Sequence, residues 1–353
     1  MRTSLYICLL AAATAMAQDR WYFQNRGYYQ PILADPRAAQ TSVLFPASAS
    51  SFPFAVNPGR SLVWDISLGA ELPILGFATS SSRSTESGVA AKGFGIGLWF
   101  PISFHMIEDL GKDPSNPILN TDYRFSGQVK AQYGLPESKV FNKSHLGVKF
   151  QFGHESTHIG DEFTLGALRT HSNEFERVNV SYEYYDVGGS FEPNFGKDGR
   201  YQFKVRGGNI WLWRPENGWY SPQLLQPYGE FVALSNRNHE PYAQAELYIQ
   251  PGQCKGTQKC KQLGWIFSTD IRDRTIYQYT LVPDATHVNS PEPTEISVNA
   301  MAGVRQVRTG PGLLGSITPT YFVRYYHGVN PNGQFRSQDK FQEYGFGVQF
   351  GFW

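Results

Sequence analysis

The sequence alternates between apolar and polar or small side chains with a period of two residues. From Phe94 to Phe104 every second residue is large and apolar, and residues 62–72, 123–133 and 146–152 repeat this pattern. Successive side chains of a β-strand point to opposite faces, so each segment predicts a strand with one apolar and one polar face. This alternation restricts the chain to β-structure whose two faces meet different surroundings.

Weaker alternation extends the pattern toward the C-terminus. The further candidate strands are residues 178–184, 203–213, 228–234, 243–249, 265–271, 296–304, 317–325 and 344–352. A soluble β-sandwich would also alternate, but charged and amide second faces on so many strands favour lipid outside and a polar interior. We therefore predict an all-β fold, a transmembrane antiparallel β-barrel of about 12 strands.

Composition agrees with a barrel and excludes two other classes. The chain has 353 residues, a net charge of +1, 17% charged residues and 15% aromatic residues. Its mean hydropathy of −0.37 is too polar for a helical membrane protein. A near-neutral charge excludes a nucleic-acid partner, because phosphate binding needs a concentrated basic surface.

The N-terminal residues predict export. Arg2, the apolar residues 5–13 and the small-x-small sequence Ala15-Met16-Ala17 form a cleavable signal peptide over residues 1–17. The expected location is the bacterial outer membrane. The expected partners are outer-membrane lipids, lipopolysaccharide and the barrel-assembly machinery, whose recognition signal the aromatic C-terminal strand resembles. The sequence leaves open whether the barrel forms homo-oligomers.

Residues 18–60 lie between the signal peptide and a barrel predicted for residues 61–353. Three interpretations of this segment are open: a periplasmic arm, an inward plug, or one more strand around residues 41–45. An extra strand here, with one miscount elsewhere, would invert the side of the membrane on which later loops lie. The tight turn at 309–312 is expected in the periplasm and the polar loop at 330–333 outside the cell.

Three segments carry a family resemblance. They are Pro-Ile-Leu-Ala-Asp-Pro-Arg at 31–37, His-Glu-Ser-Thr-His-Ile-Gly-Asp-Glu at 154–162, and residues 325–335 with the core Asn-Pro-Asn-Gly-Gln-Phe at 330–335. Together they resemble an uncharacterised family of bacterial outer-membrane proteins, classed as a domain of unknown function. The resemblance implies a barrel and an outer-membrane location, and it implies no established activity.

Two residues of the second segment suggest hydrolytic chemistry. By parity His154 and Ser156 continue the outward apolar row of residues 146–152, and this outward His-x-Ser pair resembles that of outer-membrane phospholipase A. The hypothesis is a lipid ester hydrolase in which His154 is the general base, Ser156 the nucleophile, and Asp161 or Glu176 orients the imidazole. Calcium is expected as a cofactor only under this hypothesis.

The same segment offers ligands for a cation. His158, Asp161 and Glu162 supply nitrogen and carboxylate donors, although the loop would have to fold back, because His154 and His158 lie roughly 13 Å apart on an extended strand. The alternative is a turn whose side chains bond loop backbone and lipopolysaccharide.

Cys254 and Cys260 lie close together in a polar segment of an exported chain, which predicts a disulfide across a loop. The alternative is a pair of free thiols.

Charges of both signs are predicted inside the barrel. Inward parity selects Lys149, Glu155, Asn179, Glu183, Lys204, Arg206, Glu230, Glu246, Asp270, Arg272, Arg305 and Arg324. Mixed signs in a narrow lumen predict a salt-bridged interior, with a small pore of weak ion selectivity as the functional alternative. Three hypotheses are therefore open: a structural or small-solute barrel, the lipid hydrolase, and a protein that binds ligands through its surface loops.

Overall fold

The computed structural model describes most of the chain. The described residues are 20–22, 29–50, 60–79, 93–110, 117–136, 138, 140–141, 143–159, 180–196, 199–213, 219–220, 230–233, 238–251, 262–280, 294–307, 317–336 and 338–352. The signal peptide predicted for residues 1–17 lies outside them.

Twelve antiparallel strands form a closed barrel. They are β1 (Thr41–Ser50), β2 (Arg60–Ala78), β3 (Gly93–Asp109), β4 (Ile118–Leu135), β5 (Lys143–Ile159), β6 (Val180–Phe195), β7 (Tyr201–Trp213), β8 (His239–Ile249), β9 (Gln262–Thr275), β10 (Thr294–Val307), β11 (Ile317–Gly328) and β12 (Phe341–Phe352). Each strand pairs with its neighbour in the chain, and β12 pairs with β1, with Val348 opposite Val43. The predicted fold class is confirmed.

Two strand assignments need correction, although the strand count agrees. The barrel begins at Thr41, not near residue 61, because Thr41–Ser50 pairs with both β12 and β2. Glu230–Ala233, inside the candidate strand 228–234, belongs to a separate small sheet with Trp219–Tyr220 and Tyr277–Thr280. All these segments have strand-like sequences, and only pairing between distant parts of the chain decides which of them close the barrel.

The barrel is apolar outside and polar inside. Along β5 the outward side chains from Leu146 to Phe152 are 40–59% exposed, whereas Lys149 and Gln151 between them are 8% exposed. Soluble proteins bury apolar residues and expose charge, so this reversed distribution is typical of a wall that faces lipid. Among the described residues, no helix has the length and hydropathy to cross a bilayer.

Strands β2 to β5 are longer than a membrane requires. They contain 19, 17, 18 and 17 residues, whereas a tilted strand crosses the hydrocarbon in roughly 9–11 residues. On β5 the outward apolar row ends at Phe152, and the outward residues that follow are His154, Ser156 and His158. The C-terminal end of β5 therefore extends beyond its apolar row.

Candidate functional site

The lumen of the barrel is occupied by residues 29–40, here called the arm. The backbone N–H of Leu33 donates to the Glu246 carboxylate at 2.7 Å, and that of Ala34 donates to Ser268 Oγ at 3.0 Å. Asn299 Nδ2 donates to the Ala34 carbonyl at 2.7 Å. Strands β8, β9 and β10 thus replace the water that these backbone groups lose on burial. Of the three interpretations of residues 18–60, residues 29–40 form the inward plug and residues 41–50 the additional strand.

Ion pairs fix the end of the arm to β9 and to β5. Arg272 Nη2 on β9 donates to the Asp35 carboxylate at 2.6 Å. Arg37 forms an ion pair with Glu155 on β5, and Arg124 on β4 donates to the same carboxylate at 3.0 Å. Charges removed from water are tolerated when they are paired in this way, and removing one partner is costly.

Aromatic rings complete the attachment. The Arg37 guanidinium lies 4.9 Å from the ring centre of Tyr184 and donates to the hydroxyl of Tyr182 at 3.2 Å. At the other end of the arm, the Arg206 guanidinium lies 4.2 Å from the ring centre of Tyr29. These cation–π contacts are stronger away from water. The motif Pro-Ile-Leu-Ala-Asp-Pro-Arg is therefore the segment through which the arm binds its own barrel.

Asp35 makes the attachment of the arm sensitive to acid. Burial acts to raise the pKa of its carboxyl, but Arg272 and Lys149 outweigh burial and lower the pKa from 3.8 to about 2. Because the folded-state pKa lies below the ordinary value, Asp35 stabilises the folded state above pH 3.8. This contribution, about 2 kcal/mol, is lost as the pH falls through the folded-state pKa.

We expect Asp35→Asn to lower the melting temperature at neutral pH and to flatten its decline between about pH 4 and pH 2. Thermal unfolding of the detergent-folded wild type and variant across this range measures both effects. Parallel melting curves for the two proteins would contradict the assignment.

A second segment, the lumenal loop of residues 329–336, closes the other end. The Gly333 N–H donates to the Asp122 carboxylate at 3.2 Å. Arg336 pairs with Glu240, and both residues are at most 1% exposed. Arg274 Nη1 also donates to the Val329 carbonyl at 3.3 Å. The loop that resembles the family's Asn-Pro-Asn-Gly-Gln-Phe segment therefore binds inside the barrel.

Little space remains between the arm and the wall. A cavity of about 30 Å³ is lined by residues that include Tyr29, Arg37 and Lys149. A second, of about 50 Å³, is lined by residues that include Leu33 and His105. Each volume accommodates only a few water molecules. Both of these cavities, lined by described residues of the arm and the wall, are of water size.

The interior carries charges of both signs, in pairs. Lys149 Nζ lies 2.6 Å from the Asp186 carboxylate, and Arg206 Nη2 lies 2.8 Å from that of Glu192. Lys204 pairs with Glu246 at 3.1 Å. Several of the residues that parity assigned to the lumen are thus members of ion pairs that link neighbouring strands and the arm.

The predicted catalytic residues face outward on β5, as parity requires. Ser156 Oγ lies 3.2 Å from His158 Nε2. His154 instead contacts β6, where its Nε2 lies 3.3 Å from Ser181 Oγ and its Nδ1 3.3 Å from Glu183 Oε1. The described contacts therefore join Ser156 to His158 and Ser181 to His154. They include no hydrogen bond between His154 and Ser156, so the predicted pairing of these two residues stays a hypothesis.

Glu183 lies on the outer wall, which corrects the inward orientation predicted for it. Tyr182 and Tyr184 turn inward instead, at 1% and 3% exposure, and contact the arm through Arg37. The sequence prediction took the two tyrosines for a lipid-facing row, but a tyrosine carries a hydroxyl and a ring that also bind cations. Ser181 was not identified as a site residue because it lies on the same face of β6 as Glu183, which the sequence had assigned to the lumen.

Other predicted site residues lie outside the described residues. These are Asp161, Glu162, Glu176, Cys254 and Cys260, so their catalytic, metal-binding and disulfide roles stay predictions. His158, the remaining proposed metal ligand, packs edge-on against Tyr123 with ring centres 5.6 Å apart. Across the residues that the structure describes, no group of three or more His, Cys, Asp and Glu side chains has the geometry of a metal site.

A family model described as "Protein of unknown function (DUF1207)" matches residues 7–251. The chain belongs to this DUF1207 family. The matched range includes the arm motif at 31–37 and the segment at 154–162, two of the three segments on which the family resemblance was based. No curated protein matches the chain significantly.

Solved barrels of similar extent show low similarity to this DUF1207 member. The translocator domain of autotransporter NalP from Neisseria meningitidis is 10% identical, with 89% of this chain and 88% of that chain covered and a TM-score of 0.41. The transport unit of autotransporter AIDA-I from Escherichia coli is 10% identical, with 97% of both chains covered and a TM-score of 0.41. OccAB1 of Acinetobacter baumannii is 9% identical, with 92% and 99% covered and a TM-score of 0.30. At these values the role of the chain has to be inferred from its own side chains.

Proposed function

We propose that this DUF1207 protein is a barrel of the bacterial outer membrane whose lumen is closed at rest by its own arm. The apolar outer wall supports the membrane location, because such a belt would be exposed to water in any other setting. The attachment of the arm to strands on several sides of the barrel supports the closed state.

Loop lengths support an orientation with both ends of the barrel chain in the periplasm. β1 begins and β12 ends at the same end of the barrel, and the connection at that end between β6 and β7 spans only residues 196–200. The three longest connections, residues 160–179, 214–238 and 276–293, all lie at the opposite end. Bacterial barrels have short periplasmic turns and long external loops. In this orientation the lumenal loop lies on the external side. The C-terminal end of β5 and the N-terminal end of β6 lie on the same side.

The paired charges explain why the closed state would persist. Displacing the arm separates Asp35 from Arg272 and Arg37 from Glu155. Arg272 keeps Asp270 and Glu155 keeps Arg124 as partners, so each lost hydrogen bond between charged groups costs roughly 1.5–3 kcal/mol. Spontaneous opening is therefore rare. If the arm moved, the exposed lumen would be lined by both signs of charge, which favours a small-solute path of weak ion selectivity.

Planar-bilayer recording of the wild-type protein tests the proposal. We expect no discrete conductance steps from protein that has folded and inserted, with insertion verified by protease protection in liposomes. A steady open channel in the unmodified protein would contradict a lumen closed at rest. The surface-binding hypothesis concerns external loops that lie largely outside the described residues, and it stays a prediction.

A further inference from the structure

Ser181, His154 and Glu183 form a row of hydrogen-bonding side chains across two neighbouring strands. Ser181 is opposite Ser156 and Glu183 is opposite His154 in the β5–β6 register. The imidazole of His154 lies between the other two side chains, 3.3 Å from Ser181 Oγ and 3.3 Å from Glu183 Oε1. A hydroxyl, an imidazole and a carboxylate in this order are the components of a serine hydrolase site, whatever their order in the chain.

Hydrogen-bonding chemistry selects the productive tautomer of His154. The ionised carboxylate of Glu183 only accepts hydrogen bonds, so the facing Nδ1 must carry the proton and donate. Nε2 is then free of its proton and accepts from the Ser181 hydroxyl. Separations of 3.3 Å are slightly looser than those of a working triad, as is common in the absence of substrate. The imidazole is thus oriented to remove the Ser181 proton.

The row is accessible from outside the barrel. The side chains of His154 and Glu183 are 43% and 36% exposed. His154 follows directly after the last apolar residue of the outward row on β5, Phe152. Trp213, opposite Glu183 on β7, is also exposed. Aromatic side chains typically lie at the boundary between hydrocarbon and headgroups. Acyl ester bonds of membrane lipids lie at this same depth.

We propose that this row is a catalytic site that hydrolyses acyl esters of membrane lipids. Ser181 Oγ attacks the ester carbonyl carbon while its proton moves to His154 Nε2, and Glu183 stabilises the resulting imidazolium. The tetrahedral intermediate then collapses, and the leaving alcohol takes the proton from His154. Water attacks the acyl-serine and gives its proton to His154. Release of the carboxylic acid restores the Ser181 hydroxyl, so the net reaction converts one ester and one water into an acid and an alcohol.

The inference uses the membrane location proposed above but does not depend on closure of the lumen. A conducting wild-type barrel would leave this site unaffected, and an inactive site would leave the closed barrel unaffected. The two proposals can therefore fail separately.

A neighbouring serine distinguishes this proposal from the competing hypothesis that Ser156 is the nucleophile. Ser156 lies on the same wall, is directly opposite Ser181 and bonds a different histidine, His158. Ser156→Ala and Ser181→Ala remove the same hydroxyl from neighbouring outward positions, so a difference between them cannot come from changed lipid contact or folding alone.

The test uses the full mature chain folded in detergent and then in liposomes. A fluorophosphonate probe reports serine reactivity, and the labelled peptide is identified by mass spectrometry. Release of fatty acid is measured separately from phosphatidylethanolamine vesicles and from purified lipopolysaccharide, which distinguishes the two sources of the ester.

We expect the probe to label Ser181 in the wild type. Ser181→Ala should lose both labelling and ester turnover, whereas Ser156→Ala should keep the labelling and turnover of the wild type. Glu183→Gln should lower turnover on the order of 10²–10⁴-fold, and Glu183→Asp should restore part of it, since Glu183 acts as a positioning residue through its charge. Absence of both labelling and fatty-acid release in the folded wild type would overturn the proposal. Labelling that survives Ser181→Ala, or that is lost in Ser156→Ala, would overturn it equally.

Discussion

Arg37→Ala is expected to convert a silent barrel into one that conducts in bursts. The substitution leaves Glu155 with Arg124 as its remaining partner among the pairs described above and removes the contacts with Tyr182 and Tyr184. Because Glu155 keeps Arg124, the loss is that of a buried hydrogen bond between charged groups, roughly 1.5–3 kcal/mol, which corresponds to a rise in arm displacement of roughly ten- to a hundredfold. Single-channel recording in planar bilayers measures the open probability.

Arg60→Ala is the matched control. Arg60 also donates to a side chain, Gln342, at 2.8 Å and lies 4.8 Å from the ring centre of Tyr344, but it is exposed and has no contact with the arm. We expect this variant to stay silent. Arg37→Lys keeps the positive charge and should conduct less than Arg37→Ala. Equal behaviour of the Arg37→Ala and Arg60→Ala variants would contradict the role of the arm as a plug.

Val148→Arg is expected to destabilise the folded barrel by about 2–4 kcal/mol, the cost of an arginine facing the middle of a bilayer. Val148 is 59% exposed and lies near the middle of the outward apolar row of β5. In a soluble protein an exposed valine tolerates this change, so the effect depends on lipid around the wall. Urea unfolding in liposomes measures the free energy of unfolding.

Val140→Arg provides the comparison, because Val140 is 67% exposed and lies in the turn between β4 and β5. The cost of arginine falls to about 0–1 kcal/mol at the membrane boundary, so we expect little change. Equal stability of the two variants in liposomes would contradict the proposed membrane position of the belt.

The barrel was predictable because alternation is a local property. Each row such as 94–104 or 146–152 requires only that successive side chains point to opposite faces. Which strands belong to the barrel was less predictable. Thr41–Ser50 and Glu230–Ala233 both form strands, but only Thr41–Ser50 joins the closed sheet. The two errors cancel in the strand count but reverse the orientation of β2 to β7. As a result the end of β5 with His154 is on the side with the long loops.

The outer-wall site was only half predictable. His154 was identified from its spacing to Ser156 on one strand, but its contacts lie on the neighbouring strand. Ser181 and Glu183 reach it through the β5–β6 register, which a short sequence window does not contain. The phase of β6 was also ambiguous, because Tyr182 and Tyr184 suit either face of a strand.

The sequence by itself determined that this chain forms strands with one apolar and one polar face, the pattern of a transmembrane barrel, and that its arm motif resembles a segment of a family. Only the tertiary structure decided that residues 29–40 fill the lumen and that Ser181 and Glu183 flank His154. The physical reason is one of range: alternation acts between adjacent residues, whereas ion pairs such as Asp35–Arg272 and the contacts of His154 join residues that are distant in the chain. Such contacts exist only once the sheet has closed in a particular register.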